Sequence, residues 1–167
     1  MDTEPRAAGA RSLEPFLAGK HVAVTGAGSG IGRAIAERLA RHGAALSLFG
    51  RRAERLAETA RAAERLGAAR VAGLSLDVRD RAACERAFAA AASERGPCFA
   101  LVANAGIGGP NAPGPGDRFD ELVATNLTGV YNCARAAERH LAPGPEPRHL
   151  LFMSSILGRI GVPGYSG

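Results

Sequence analysis

Thr25-Gly26-Ala27-Gly28-Ser29-Gly30-Ile31-Gly32 is the run whose residue types and spacing point most directly to chemistry. Glycines at this density let a backbone turn tightly and come close to a bulky anion. If a helix begins inside the run, its free N–H groups and partial positive charge suit a diphosphate. Roughly twenty residues on, a dinucleotide site would offer an acid to the adenosine ribose. Gly50 stands there instead, followed by Arg51 and Arg52. Arginine is always charged and can hold a phosphate with two parallel hydrogen bonds. A 2′-phosphate, as on NADP(H), therefore fits better here than the bare diol of NAD(H), which is the second choice. The missing acid also argues against an adenosylmethionine-dependent methyltransferase. No G-K-S/T loop occurs, because Lys20 precedes the strand rather than the helix. His21, His42, His140 and His149 stand at element ends, and Ser29 has Ala27 and Ile31 two residues away, where a G-x-S-x-G elbow has glycines.

These residues need elements to position them. His21–Thr25 is a short apolar run ending in glycine and predicts a strand. Ile31, Ile35 and Leu39 recur every fourth residue and predict a helix with those side chains inward, closed by Gly43. Residues 46–49 predict a second strand. Residues 52–66 predict a second helix with Leu56, Ala60 and Ala63 inward. Residues 71–76 predict a third strand. Asp80 can cap a third helix to Arg95 with Cys84, Phe88 and Ala91 inward, and residues 99–103 a fourth strand. After a Gly/Pro loop, a long helix is predicted from about Asp117 to about Leu141. Its stripe of Phe119, Val123, Val130, Cys133 and Ala137 would include Asn126, a buried amide that needs partners. Tyr131 reads as packing. Residues 150–153 predict a fifth strand. This alternation implies an α/β fold with a parallel sheet and right-handed crossovers.

The chain has 167 residues, 46% hydrophobic and 22% charged, which bounds it to one globular domain. Residues 1–18 mix acids, bases, Gly and Pro and read as a flexible leader without an apolar signal segment; residues 19–167 read as the folded domain. The net charge is +5, but it comes almost wholly from scattered arginines paired with nearby glutamates, so no nucleic-acid partner is expected. No apolar run is long enough for a membrane span. Cys84, Cys98 and Cys133 lack metal-site or C-x-x-C spacing. They read as buried reduced thiols in a cytoplasmic protein with no metal.

The glycine run, read as T-G-x-x-x-G-x-G, resembles the cofactor turn of the short-chain dehydrogenase/reductase family. The resemblance extends along residues 20–167. Asp77-Val78 ends the third strand, where the family places the carboxylate that meets the adenine amino group. Asn104-Ala105-Gly106 is similar to the family's N-N-A-G motif, with Ala103 in place of its first Asn. Asn126-Leu-Thr-Gly-Val130 resembles N-L-x-G-V, and Met153-Ser154-Ser155 stands where the family keeps its catalytic serine.

The resemblance implies a Rossmann-like, doubly wound sheet with helices on both faces, truncated after the fifth strand. It implies an NAD(P)-dependent oxidoreductase that interconverts a ketone and a secondary alcohol, with Arg51 and Arg52 making NADP the expected form. A 3-oxoacyl thioester reductase is the commonest precedent. Thr25, Gly26, Ser29, Gly30, Ile31, Gly32, Arg51, Arg52, Asp77, Val78, Asn104, Ala105 and Gly106 would bind the cofactor. Ser155 would hydrogen-bond the substrate oxygen, with Ser154 the runner-up, and Asn126 would hold a water in the proton relay. The family's tyrosine stands further past the serine than Tyr165 does from Ser155, and no lysine follows Lys20. The expected complement is a small carbonyl or alcohol substrate and, at full family length, a homo-oligomer. The alternative is a dinucleotide-binding module without catalysis.

Overall fold

Five apolar runs become five parallel strands: β1 (His21–Thr25), β2 (Ala45–Gly50), β3 (Arg70–Ser75), β4 (Cys98–Ala103) and β5 (His149–Phe152). The computed structural model describes residues 16–165, so the leader lies outside the described residues as far as position 15. The strand order is β3-β2-β1-β4-β5. Between the strands run α1 (Gly30–Ala40), α2 (Ala53–Arg65), α3 (Arg81–Arg95), α4 (Phe119–Val123) and α5 (Gly129–Glu138). β1 and β4 are buried along their whole length, which is why they read as unbroken apolar runs.

Successive strand side chains point to opposite faces and build two cores. Val22, Val24, Leu46, Leu48 and Val102 meet Ala36 and Ala40 of α1 and Leu56 and Ala63 of α2. Ala23, Phe49 and Leu101 meet Cys84, Phe88 and Ala91 of α3 and Cys133, Ala136 and Ala137 of α5. The helices thus cover both faces. Asp80 caps α3 as predicted, accepting from the Ala83 N–H at 2.9 Å. The three cysteines are buried free thiols. Phe16, edge-on to Phe99 with centroids 6.0 Å apart, and Leu17 pack on the first core.

Three expectations are corrected. The buried face of α1 is Gly32, Ala36 and Ala40. Ile35 and Leu39 only flank it, and Ile31 is 63% exposed. The helix lies so close to the glycine turn that only small residues fit beneath it. The long helix is also not continuous. A wide turn with i→i+5 geometry, Ala124–Thr128, separates α4 from α5. Its extra residue shifts the phase of everything before it. Cys133 and Ala137 stay inward, while Phe119 and Asn126 turn outward. Tyr131 is 55% exposed and does not pack. His21, at the start of β1 as expected, is buried, with Nδ1 2.8 Å from the Gly96 carbonyl and Nε2 2.8 Å from Ser47 Oγ.

Candidate functional site

In a parallel sheet all strands end on one edge, and a ligand crevice opens where the strand order reverses. Here that point lies between β1 and β4. A cleft of about 350 Å³ occupies it. The glycine turn contributes Gly26, Gly28, Ser29 and Ile31. Gly50, Arg51 and Arg52 come from the end of β2, residues 76–79 from the end of β3, and residues 104–107 from the end of β4. Ten of the thirteen cofactor residues expected from the sequence therefore line one cleft.

Thr25, Gly30 and Gly32 are not among the lining residues, and two of them shape the turn from behind. Thr25 Oγ1 is buried and accepts from the Asn104 and Ala105 N–H groups at 3.0 and 2.9 Å. Asn104 Nδ2 donates back to the Thr25 carbonyl at 3.1 Å. This reciprocal tie locks the ends of β1 and β4 together. A Cβ on Gly32 would lie 2.3 Å from the Gly26 carbonyl oxygen, so no other residue lets α1 start this close to the turn. Thr59 of α2, buried, donates from Oγ1 to the Ala27 carbonyl at 3.1 Å and braces the same turn from the other side.

Along the β2 and β3 rim of the cleft the charges are dense. Arg52 Nη2 reaches Ser29 Oγ at 3.3 Å, which joins the β2 rim to the N-terminus of α1. Arg79 grips Asp77 through Nε and Nη2 at 3.0 and 2.6 Å, and its backbone N–H donates to the same carboxylate at 3.0 Å. These hydrogen bonds, with the nearby Arg51 charge, hold the Asp77 carboxyl below the usual carboxylate range. Sequence reasoning passed over Arg79; the only signal was an arginine two positions after the expected acid.

Asn126 is exposed rather than part of an apolar stripe, yet both ends of its amide are engaged. Oδ1 accepts from the Ile107 N–H at 2.9 Å, and Nδ2 donates to the Ile107 carbonyl at 2.8 Å. The wide turn places this amide against residues 106 and 107, at the mouth of the cleft. β5 pairs with β4 in register, Ala103 opposite Phe152, so Ser155 follows the same sheet edge as Asn104. Ser155 is exposed, and its Oγ accepts from the Leu157 N–H at 3.2 Å. Tyr165 is bridged through its backbone to Asn111, in the loop before α4.

The profile of the short chain dehydrogenase family matches residues 20–167. The chain belongs to that family. Among its relatives are a hexahydro-indene-carboxyl-CoA reductase of Mycobacterium tuberculosis, 35% identical over 86% of this chain and 56% of the relative. Another is a gluconate 5-dehydrogenase of Gluconobacter oxydans, 35% identical over 90% of this chain and 60% of the relative. A third is a 3-oxoacyl-acyl-carrier-protein reductase of Mycobacterium bovis, 33% identical over 89% and 55%. A solved short chain dehydrogenase of Mycobacterium smegmatis superposes with a TM-score of 0.83 at 30% identity, over 91% of this chain and 65% of that one. The chain thus spans a little over half the length of these curated relatives. Within the short chain dehydrogenases the residues present fit an NAD(P) dinucleotide. A helix N-terminus with Ser29 faces one part of the cleft, cations rim another, and an ionised acceptor stands at a third. No described helix is long and apolar enough to cross a membrane.

Proposed function

We propose that the protein carrying this chain is an NADP(H)-linked oxidoreductase that interconverts a ketone and a secondary alcohol. One observation carries the cofactor choice. The rim beside the glycine turn offers Arg51 and Arg52, and Gly50 stands where a diol-binding acid would be. A 2′-phosphate gains from two cations there; a bare ribose gains nothing from them. Gly26, Ser29 and Ile31 would hold the diphosphate, with Thr25, Gly30 and Gly32 shaping the turn that presents them. Asp77 and Val78 would meet the adenine, and Asn104, Ala105 and Gly106 the nicotinamide half. The bound dinucleotide supplies or accepts the hydride. Ser155 would then hydrogen-bond the substrate oxygen, and Asn126, oriented by Ile107, would hold a water in the proton path. A 3-oxoacyl thioester is the substrate class favoured, because two relatives are named as reductases of thioester-bound substrates. The reading carries with it a cytoplasmic location and a homo-oligomeric whole protein.

Fluorescence titration with NADPH and NADH tests it. NADPH should bind at least tenfold more tightly, and Arg51→Asp should reverse much of that margin by setting a carboxylate against the phosphate. Equal losses for both dinucleotides would overturn the NADP assignment. Binding without turnover over a panel of ketones and 3-oxoacyl thioesters would favour the non-catalytic module instead.

A further inference from the structure

The peptide unit joining Val78 to Arg79 is held from both ends. Its N–H, on Arg79, donates to the Asp77 carboxylate at 3.0 Å. Its carbonyl, on Val78, accepts from Nδ2 of Asn132 on α5 at 3.0 Å. The same Nδ2 lies 3.4 Å from the next carbonyl, that of Arg79. Asn132 is only 5% exposed, and α5 comes near enough to reach the loop because residue 129 has no side chain. A Cβ on Gly129 would sit 2.5 Å from Val78 Cγ2. A rigid planar peptide turns as one body, so fixing its carbonyl fixes the direction of its N–H. That N–H, with the Arg79 guanidinium beside it, decides where the Asp77 oxygens point.

We infer that Asn132 is a positioning residue for adenine recognition: through one peptide unit it aims the Asp77 carboxylate at the exocyclic amino group of the base. The inference rests on the dinucleotide reading above and goes further by assigning a residue on another element, outside the cleft, to base selectivity. The chemistry is specific. An ionised carboxylate accepts a hydrogen bond from an amino group and repels a carbonyl oxygen. Adenine presents an amino group at that position, and hypoxanthine presents an oxygen. A carboxylate free to rotate loses this discrimination without losing the diphosphate or 2′-phosphate contacts.

The test compares dissociation constants for NADPH and its hypoxanthine analogue in the purified protein. The unaltered protein should prefer NADPH by at least about tenfold, the lower end of what one hydrogen bond to a charged group supplies. Asn132→Leu, with the same branching at Cγ but without donors, should bring the ratio to about unity by weakening NADPH alone. Asn132→Ala, which removes the donor without adding bulk, should bring the same fall in the ratio, and it decides the matter if the leucine variant does not fold. Equal weakening of both dinucleotides, or an undiminished ratio, would overturn the positioning role. Equal binding of both by the unaltered protein would overturn it too, while leaving the dinucleotide reading intact. Failure to bind either would remove that reading itself.

Discussion

Asp77 joins the electrostatics of the cleft to its selectivity. It must be ionised to accept from an amino group, and the Arg79 fork keeps it so. A depressed carboxyl pKa contributes stability that is present above the ordinary carboxylate range and is lost as pH falls through the depressed value. With the carboxylate about a third exposed, solvent screens much of that gain. The firmer consequence is in titration. Arg79→Ala should move the Asp77 titration upward toward the ordinary carboxylate range, read from its side-chain carboxyl carbon by NMR. Arg51, which also faces Asp77, remains in that variant, so the return should be incomplete. An unmoved titration would show that the fork does not set the charge.

Elements meet through small residues and buried polar ties. The contact between α1 and the turn depends on Gly32, whose Cβ position is already filled by the Gly26 carbonyl. Gly32→Ala should destabilise the fold by about 1–3 kcal/mol, the usual range for overpacking, and should weaken dinucleotide binding because the turn must shift. Denaturant unfolding with parallel NADPH titration checks both effects, and a variant normal in both would refute the close approach. His21 ties the start of β1 to β2 and to the α3–β4 corner. A carbonyl can only accept, so Nδ1–H donates to Gly96 and Nε2 accepts from the Ser47 hydroxyl, which defines a neutral tautomer. Burial, with help from the Arg95 charge, lowers its pKa below 6.5, although the Gly96 bond opposes this. The unfolded chain therefore takes up a proton first as pH falls. Stability from this group is complete above the ordinary histidine value and declines below it. The thermal midpoint should drop as pH falls from about 6.5 toward about 5, and His21→Asn should flatten that slope. Identical slopes would exclude His21 as the source.

Across the whole molecule the two edges of the sheet differ. β3 carries Arg70 and Ser75, and α2 packs beside it. β5 carries Leu150, Leu151 and Phe152, and Met153 follows; these four are between 36% and 54% exposed. Ile156, Leu157 and Ile160, which follow in sequence, are exposed as well. An open strand edge beside bare apolar side chains is a template for association. The 167-residue polypeptide expressed by itself should self-associate in a concentration-dependent way, visible by light scattering. Leu151→Lys with Phe152→Lys should reduce that association. A monodisperse unaltered polypeptide would show that this surface is harmless.

What the sequence by itself determined was local. Strand and helix order, the Asp80 cap and the strand–turn–helix setting of residues 25–32 follow from short-range periodicity and turn chemistry, and they placed Arg51 and Asp77 on one sheet edge. The tertiary structure decided everything that depends on two distant segments meeting. The buried face of α1 shifted by one residue because Gly32 must lie against Gly26. The Asn126 amide left its expected stripe because the wide turn changed the helix phase and Ile107 satisfied it. The brace from Asn132 to Val78 spans 54 residues of sequence. A hydrogen bond between remote segments leaves no period or spacing in either one. It exists only once the sheet order has brought α5 against the end of β3.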